Sequence, residues 1–410
     1  LDQPIEATLE AQGTSKSNSF IGPGLQVGLS HKNYLGGAER LSANLKGSYE
    51  WQTNSAKGGR AQDINSYELG LDVNFDIPRL LAPKFVKRSS RYVNWTKFSL
   101  NADLMNRPDY FKMVQFGGQM QWEWHHNRKS THQFTPFKLR YNKLISKTAA
   151  FDSAMESNPA LAQSFRNVFI PEIQYTYTYD NSFGPNNITW TSTISEAGSI
   201  FSGIWSICGA KGVKKLFGTP FSQFVRAQTQ VVWNRKIGSM NLVSRFLLGA
   251  AHAFGNSSEV PYSAQFYIGG ANSVRAFPVR SIGPGRYCPT EIRPNGYYDQ
   301  TGTFKFETNC ELRFPILGYL KGALFLDAGN VWLLKKDDYR PGGEITLKHF
   351  LNDLALGTGV GVRFDMDMLV LRADLGIGIH TPYDTGKSGY FNMPSFKDSL
   401  GFHLAIGYPF

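Results

Sequence analysis

The chain has 410 residues, of which 41% are hydrophobic and 14% aromatic, with 41 glycines and a formal net charge of +11. No apolar run approaches the roughly 18 residues that a membrane helix needs. The basic residues are scattered over loops and alternating positions instead of clustering with aromatics, which speaks for a solvated or anionic-lipid-facing surface and against nucleic acid.

The opening LDQPIEATLE is neither a signal peptide nor a lipid-attachment site, so for an exported protein the chain is expected to begin after processing or downstream of other domains. Beyond it, apolar residues fall on every second position along almost the whole length. Leu41, Ala43, Leu45, Tyr49 and Trp51 share one face of a strand, opposite Ser42, Asn44, Lys46 and Glu50. Leu69, Leu71, Val73 and Phe75 oppose Glu68, Asp72, Asn74 and Asp76. Val114, Phe116, Met120, Trp122 and Trp124 oppose Gln115, Gln119, Gln121 and Glu123. Leu369, Leu371, Ala373, Leu375 and Ile377 oppose Arg372 and Asp374. The last segment alternates too, with Phe402, Leu404, Ile406, Tyr408 and Phe410 on one face, and it ends on an aromatic as a strand in an interfacial girdle does.

These polar faces are too charged for a packed soluble core, and the apolar faces too uniform for water. A water-filled barrel in lipid reconciles them, and it must close, since hydrocarbon cannot satisfy an open sheet edge. The pattern predicts sixteen antiparallel strands: 4–12, 23–32, 38–52, 65–77, 94–105, 110–126, 131–143, 169–180, 187–199, 221–235, 240–254, 303–315, 319–334, 354–365, 368–379 and 400–410. Residues 1–410 thus read as a single transmembrane β-barrel domain, all-β in class. Short connections alternate with long ones at 143–168, 199–220, 255–302, 335–353 and 380–399, as turns and loops on opposite sides of a membrane would. Residues 78–93 break this alternation, being long on the short-turn side. Segments 149–168 and 198–217 carry helical patterns, expected to cap their loops.

Cys310 shares the apolar face of its strand with Phe304, Phe306, Leu312 and Phe314 and is expected to face lipid as a free thiol. Cys208 and Cys288 lie in long loops, where an oxidising compartment allows either a bridge or two separate thiols. GTGVGV at 357–362 resembles a nucleotide loop, but no helix follows. Gly357, Gly359 and Gly361 keep the strand period, and read as a lumen-facing stripe that another segment approaches closely. His125, His126 and His132 fit no common zinc spacing. No nucleophile elbow appears, so neither catalysis nor a metal is expected.

The longest connection contains IGGANSVRAFPVRSIGPG, residues 268–285. An arginine between apolar residues makes sense if this loop folds back into the lumen and Arg275 meets acid. Candidate partners are Glu307 and Glu311 on the lumen face of 303–315, and Asp327 in ALFLDAGNVW, where Leu324, Leu326 and Trp332 are expected to face outward. Such carboxylates would make charge-assisted, bidentate bonds to the guanidinium.

At this point the chain resembles the BamA/TamA-type outer-membrane barrels, a superfamily that includes the two-partner secretion transporters. Val274-Arg275-Ala276-Phe277 matches the family's VRGF or VRGY loop motif, with Ala for Gly, which could adopt φ > 0 freely. Phe325-Leu326-Asp327-Ala328-Gly329 matches its F-x-D-x-G pattern, and Glu311 its acidic residue on the preceding strand. NYLGGAE near 33–39 and the last strand extend the likeness along the barrel.

The resemblance implies an assembly factor in the outer membrane of a diderm bacterium, with both termini periplasmic and the long loop, about 255–302, folded into the lumen. Client outer-membrane proteins would be inserted at a lateral gate. One side of the gate would be Ile5, Glu6, Ala7, Thr8, Leu9 and Glu10; the other would be Gly401, Phe402, Leu404, Ile406, Gly407 and Phe410, in a strand weakened by its glycines and Pro409. Implied partners are lipids, unfolded clients, and periplasmic chaperones or accessory subunits. No cofactor is implied, and the POTRA repeats usual in the family are absent from the sequence. A polypeptide secretion pore of the same superfamily is the alternative, and a passive porin a more distant one.

Overall fold

The computed structural model describes the chain apart from residues 1–3, 17–19, 53–64, 82–90, 108–110, 158–161, 163–164, 183–185, 208, 210–211, 217, 289–299, 367–369 and 388. Sixteen strands form one antiparallel sheet in chain order. They are β1 (Ile5–Lys16), β2 (Phe20–His31), β3 (Arg40–Gln52), β4 (Asn65–Ile77), β5 (Trp95–Arg107), β6 (Phe111–Asn127), β7 (Ser130–Lys147), β8 (Val168–Asn181) and β9 (Asn186–Ala197). The second half comprises β10 (Phe224–Ile237), β11 (Met240–Ala253), β12 (Phe304–Leu317), β13 (Leu320–Trp332), β14 (Ala355–Asp365), β15 (Val370–His380) and β16 (Leu400–Ile406). Every neighbour is the next strand in sequence, so each connection is local and the all-β reading of the period-two pattern holds.

The alternation has the expected physical consequence. On the outer face Leu25, Val27, Leu29, Leu69, Leu71, Val360, Val362, Phe364, Phe402 and Leu404 are exposed, a band of aliphatic and aromatic side chains that water would not tolerate. On the inner face Glu307, Glu311, Asp327, Arg363 and Asp374 are fully buried. What buries them is the connection between β11 and β12, which packs across β11–β16. Its Ile268, Val274, Phe277 and Ile282 form one apolar cluster with Ala251, Val331 and Ala355 of the wall.

Two helices sit in the long connections. Helix α1 (Ala149–Ser157) caps its end of the sheet, with Phe151 packed on Phe111 and Phe165. Helix α2 (Ser199–Ile207) has no buried residue.

Three expectations need correction. First, β1 runs to Lys16, four residues beyond its expected end, and pairs with β2 along its whole length. Second, the final strand stops at Ile406, not at residue 410. Gly407 adopts φ +82, which an extended strand cannot continue through, and Pro409 has no N–H to offer a ladder. Tyr408 and Phe410 therefore leave the outward apolar row. Third, Trp332 is fully buried although its parity points outward. The connection after β13 folds over it. Phe350 stacks on the indole at 5.2 Å, and the indole N–H donates to Asp353 Oδ2 at 3.2 Å. Parity sets a side chain's face, not what lies on that face.

Along the ladder order the sheet begins at β1 and ends at β16, and among the described residues no pairing joins them. β1 has twelve residues and β16 seven.

The Trp332 contact makes the cover over β13 testable. Trp332→Ala is expected to cost about 3–5 kcal/mol and to open residues 333–354 to protease, while the folded sheet keeps its heat-modifiable migration on gels. Unchanged proteolysis of that segment would show that the cover holds without the indole.

Candidate functional site

The tip of the long connection is a compact turn. Gly269 and Gly270 have φ of +96 and +88, and the Gly270 N–H donates to Phe277 O at 2.8 Å, closing residues 270–277 into a finger. Val274, Ala276 and Phe277 are buried in the apolar cluster, which leaves Arg275 aimed at the wall.

Arg275 is fully buried. Its Nε donates to Asp327 Oδ2 at 2.8 Å and its Nη2 to Asp327 Oδ1 at 2.9 Å, a two-pronged bond from loop to β13. The Arg275 backbone N–H adds a third bond, to Asp327 Oδ2 at 3.1 Å. Arg275 Nη1 donates to Glu311 of β12 and lies 3.9 Å from Asp374 of β15. The guanidinium also stacks over the Phe325 ring, 3.5 Å from its centroid. Its carbonyl can only accept, so the 2.8 Å contact fixes the proton of His403 on Nε2 and ties β16 to the same residue.

Around this contact lies a continuous ion network. Glu311 also receives Arg313 at 2.7 Å and Arg363 at 3.1 Å. Asp374 receives Arg363 at 2.5 Å and Arg372 at 3.1 Å. Arg372 then reaches the loop, donating to Ala271 O at 2.8 Å and to Asn272 Oδ1. Asn309 bridges both sides, from Asp327 Oδ1 at 2.9 Å to Ser273 O at 3.0 Å.

Three glycines form the seat of the finger. A Cβ at Gly357 would come 2.5 Å from the Ala276 Cβ; one at Gly376 would come 2.7 Å from Arg275 O, and one at Gly401 2.8 Å from the same oxygen. Of the stripe Gly357, Gly359 and Gly361, where close approach was expected, Gly357 meets the finger, whereas Gly359 lies nearest Leu375 and Phe325 and Gly361 nearest Asp374 and Arg363 of the wall; Gly376 of β15 was not foreseen. Gly401 lies in β16, where the sequence suggests only a weakened strand; the approaching loop is a further reason for its lack of a side chain.

The structure brings Arg275, Glu311 and Asp327 together and keeps Glu307 apart. Glu307 is buried on the same face of β12 but four residues away, about 13 Å at strand rise, beyond the reach of one guanidinium. It pairs instead with Arg245 of β11, Lys305 at 2.8 Å and the Ser273 hydroxyl at 2.9 Å. Residues Ile5 to Glu10 lie at the other edge of the sheet, paired with His31 to Gln26 of β2. Gly401, Phe402, Leu404 and Ile406 lie in β16, paired with β15.

Gly407 and Phe410 are not in a strand but in the segment that bends inward. Tyr408 donates to Asp365 Oδ2 at 2.6 Å beneath the Arg313 guanidinium, and Arg245 lies 4.9 Å from the Phe410 ring centroid. Burial, joined by the bond to Asp365, pushes the Tyr408 phenol above its ordinary pKa. Cys310 is free and half-buried, 3.7 Å from the Ser244 hydroxyl. The Cys208–Cys288 bridge falls on Cys208, which lies outside the described residues.

Sequence reading missed Arg245, Arg313, Arg363, Arg372, Asp374 and His403 as members of the site. A signal was present: all have the inward parity of their strands. Arg363 and Arg372 sit directly opposite each other in the β14–β15 register, a like-charge pair that requires a carboxylate between them. Among the described residues no cluster of His, Cys, Asp and Glu is arranged to hold a metal ion, and no helix is long and apolar enough to cross a membrane.

A family model described as the Omp85 superfamily domain matches residues 33–410. The outer membrane protein assembly factor BamA of Neisseria meningitidis serogroup B is 34% identical over 90 residues, 21% of this chain and 11% of that protein. The crystal structure of BamA from Haemophilus ducreyi lacking POTRA domains 1–3 superposes with a TM-score of 0.60 at 16% identity, covering 98% of this chain and 70% of that one. CdiB from Escherichia coli superposes with a TM-score of 0.54 at 12% identity, over 99% of this chain and 63% of that one. With all but the first two strands inside the matched region, the chain belongs to the Omp85 superfamily and is an outer-membrane β-barrel.

Proposed function

We propose that this barrel is an outer-membrane assembly factor that receives unfolded β-barrel clients at the edge of β1 and releases them sideways into lipid. The observation that carries this reading is the order of the sheet, in which the twelve-residue β1 and the seven-residue β16 stand first and last. Parting these two strands would leave a row of unmet N–H and C=O groups in hydrocarbon, at several kcal/mol per group. A client strand added there would satisfy those groups while its apolar face enters the lipid, so strand pairing and burial supply the driving force without a nucleotide. The seven-residue β16, which stops at Ile406 before the turn at Gly407, gives the opposite side of the gate a short and readily parted ladder.

In this reading the long loops face outward from the cell and the N- and C-termini lie on the periplasmic side, where chaperones or accessory subunits would deliver clients. The Val274–Phe277 finger acts as a lock: it occupies the interior and holds β12, β13 and β15 to the Arg275 guanidinium and β16 to its carbonyl. The likeness to CdiB supports a second reading within the superfamily, a polypeptide secretion pore. There the finger would have to withdraw and the charged interior would pass an unfolded chain. An open porin fits less well, because the finger fills the lumen beside β11–β16.

Two experiments test these roles. Arg275→Ala leaves Asp327, Glu311 and Asp374 buried with less counter-charge, at an expected cost of about 3–5 kcal/mol. Residues 255–302 should become protease-sensitive while heat-modifiability persists, and Gly376→Val should do the same by blocking the seat. Ordinary protease resistance in both variants would rule out the lock. For the gate, a cysteine at Ala7 is tested against cysteines along the last strand of a stalled client. Register-specific disulfide trapping at Ala7 is expected; trapping only at an interior position such as Gln119 would replace the insertase with a secretion pore, and none at either would remove both.

A further inference from the structure

Helix α2 stands out because its isoleucine side is exposed among the described residues. Its sequence, SIFSGIWSI, winds Ile200, Ile204 and Ile207 onto one side, flanked by Phe201 and Trp205, and places Ser199, Ser202 and Ser206 on the other. Ile200 is 54% exposed, Ile204 47% and Ile207 88%. The side turned to the protein carries Phe201, Ser202 and Trp205, all half-buried, with Phe201 6.4 Å from the Phe221 ring between centroids, while Lys214 Nζ donates to Ser202 O at 2.8 Å and to the Ser202 and Ser206 hydroxyls at 2.6 Å each. A helix surrounded by water would turn its isoleucines onto the sheet instead of leaving them exposed.

The helix also begins where the lipid-facing band ends. β9 carries Ile188, Trp190 and Ile194 outward, all exposed, and Val225 continues the row on β10. Glu196 follows on the outward parity of β9, and its carboxylate accepts the Ser199 N–H at 2.7 Å, fixing the start of α2 on that side of the wall.

We infer that α2 is an interfacial membrane helix that lies in the lipid surface beside β9 and β10, with its isoleucine side in the acyl region and Trp205 at the headgroup level. The orientation by Lys214, the anchoring by Glu196 and the continuity with Ile194 each point to lipid as the occupant. At nine residues, about 13 Å, the helix is far too short to span, and its apolar arc with a polar opposite side is the pattern of an element lying in the plane. Such a helix would widen the hydrophobic collar of the barrel at one place and would tie the connection between β9 and β10 to the membrane.

The test is site-directed spin labelling of the full chain in vesicles of phosphatidylethanolamine and phosphatidylglycerol, with Cys208, Cys288 and Cys310 replaced by serine. Labels go on at Ile200, Ile204, Ile207 and Ser206, and at Leu324 as an outward barrel control. Oxygen collisions are expected to exceed those of a water-soluble nickel chelate at the three isoleucine positions, as at Leu324, with the ratio reversed at Ser206. If Leu324 reports lipid while Ile204 reports water, α2 lies clear of the membrane and the inference fails with the barrel intact. An immobile label at Ile204, closed to both reagents, would overturn it in favour of a protein contact. If Leu324 itself reports water, the membrane barrel and the helix fall together. Heat-modifiability of each labelled variant establishes that the sheet is folded before the readings are compared.

Discussion

A positive charge buried away from water has to be met by negative charge, and Arg275 is met by residues from three strands of the wall. Asp327 takes two of its guanidinium nitrogens and its backbone N–H, Glu311 a third nitrogen, and Asp374 stands 3.9 Å off. Desolvating these groups costs several kcal/mol each, so the net stability gained from the pairing is small. Position is what it secures. Each carboxylate is on a different strand or height, so only one placement of the finger satisfies all of them, and displacing it leaves charge unpaired.

That requirement propagates outward. Arg245, Arg275, Arg313, Arg363 and Arg372 face Glu307, Glu311, Asp327 and Asp374, an arginine in excess before Lys305 is counted. The surplus is absorbed by neutral acceptors and by rings. Arg372 takes the Ala271 carbonyl and Arg245 that of Asn272 at 2.9 Å, both on the finger, so charge left over from the wall also holds the loop. Arg313 lies 4.2 Å from the Tyr408 centroid and Arg245 4.9 Å from that of Phe410. The inward bend at Gly407 thus brings aromatic faces to cations that no carboxylate fully neutralises. β16 and the finger come to share partners, through His403 on one side and the bent segment on the other.

The strands were legible because a barrel in lipid writes its two faces into alternate residues, and alternation survives any uncertainty in where a strand ends. Glu311 and Asp327 were legible as inward for the same reason. Parity is blind to height, however: Glu307 and Glu311 are equivalent by period and differ only in position along the strand, which depends on the stagger between neighbours. Arg363 and Arg372 were hidden by the same blindness, since their partner Asp374 is named by face but not by level. Trp332 shows a second limit. Its outward face was correct, yet Phe350 and Asp353, some twenty residues on, cover it. At residues 407–410 the apolar rhythm continued after the backbone had already turned, because rings suited to lipid also suit guanidinium groups.

Ala276 illustrates how such a site tolerates change. The related motif has glycine there, and a glycine is indispensable only if the backbone needs φ > 0 or the space admits no Cβ. Neither holds in this chain: Ala276 is not among the positive-φ residues, and the wall opposite has given up a side chain of its own at Gly357, where a Cβ would stand 2.5 Å from that of Ala276. Contact between finger and seat requires one small partner at this point, and the chain places it on β14 in addition to keeping Gly376 and Gly401 bare against the Arg275 carbonyl. The fit of the finger is therefore a property of the pair of surfaces. A larger residue on either side would lift the tip, and with it the guanidinium, out of reach of Asp327.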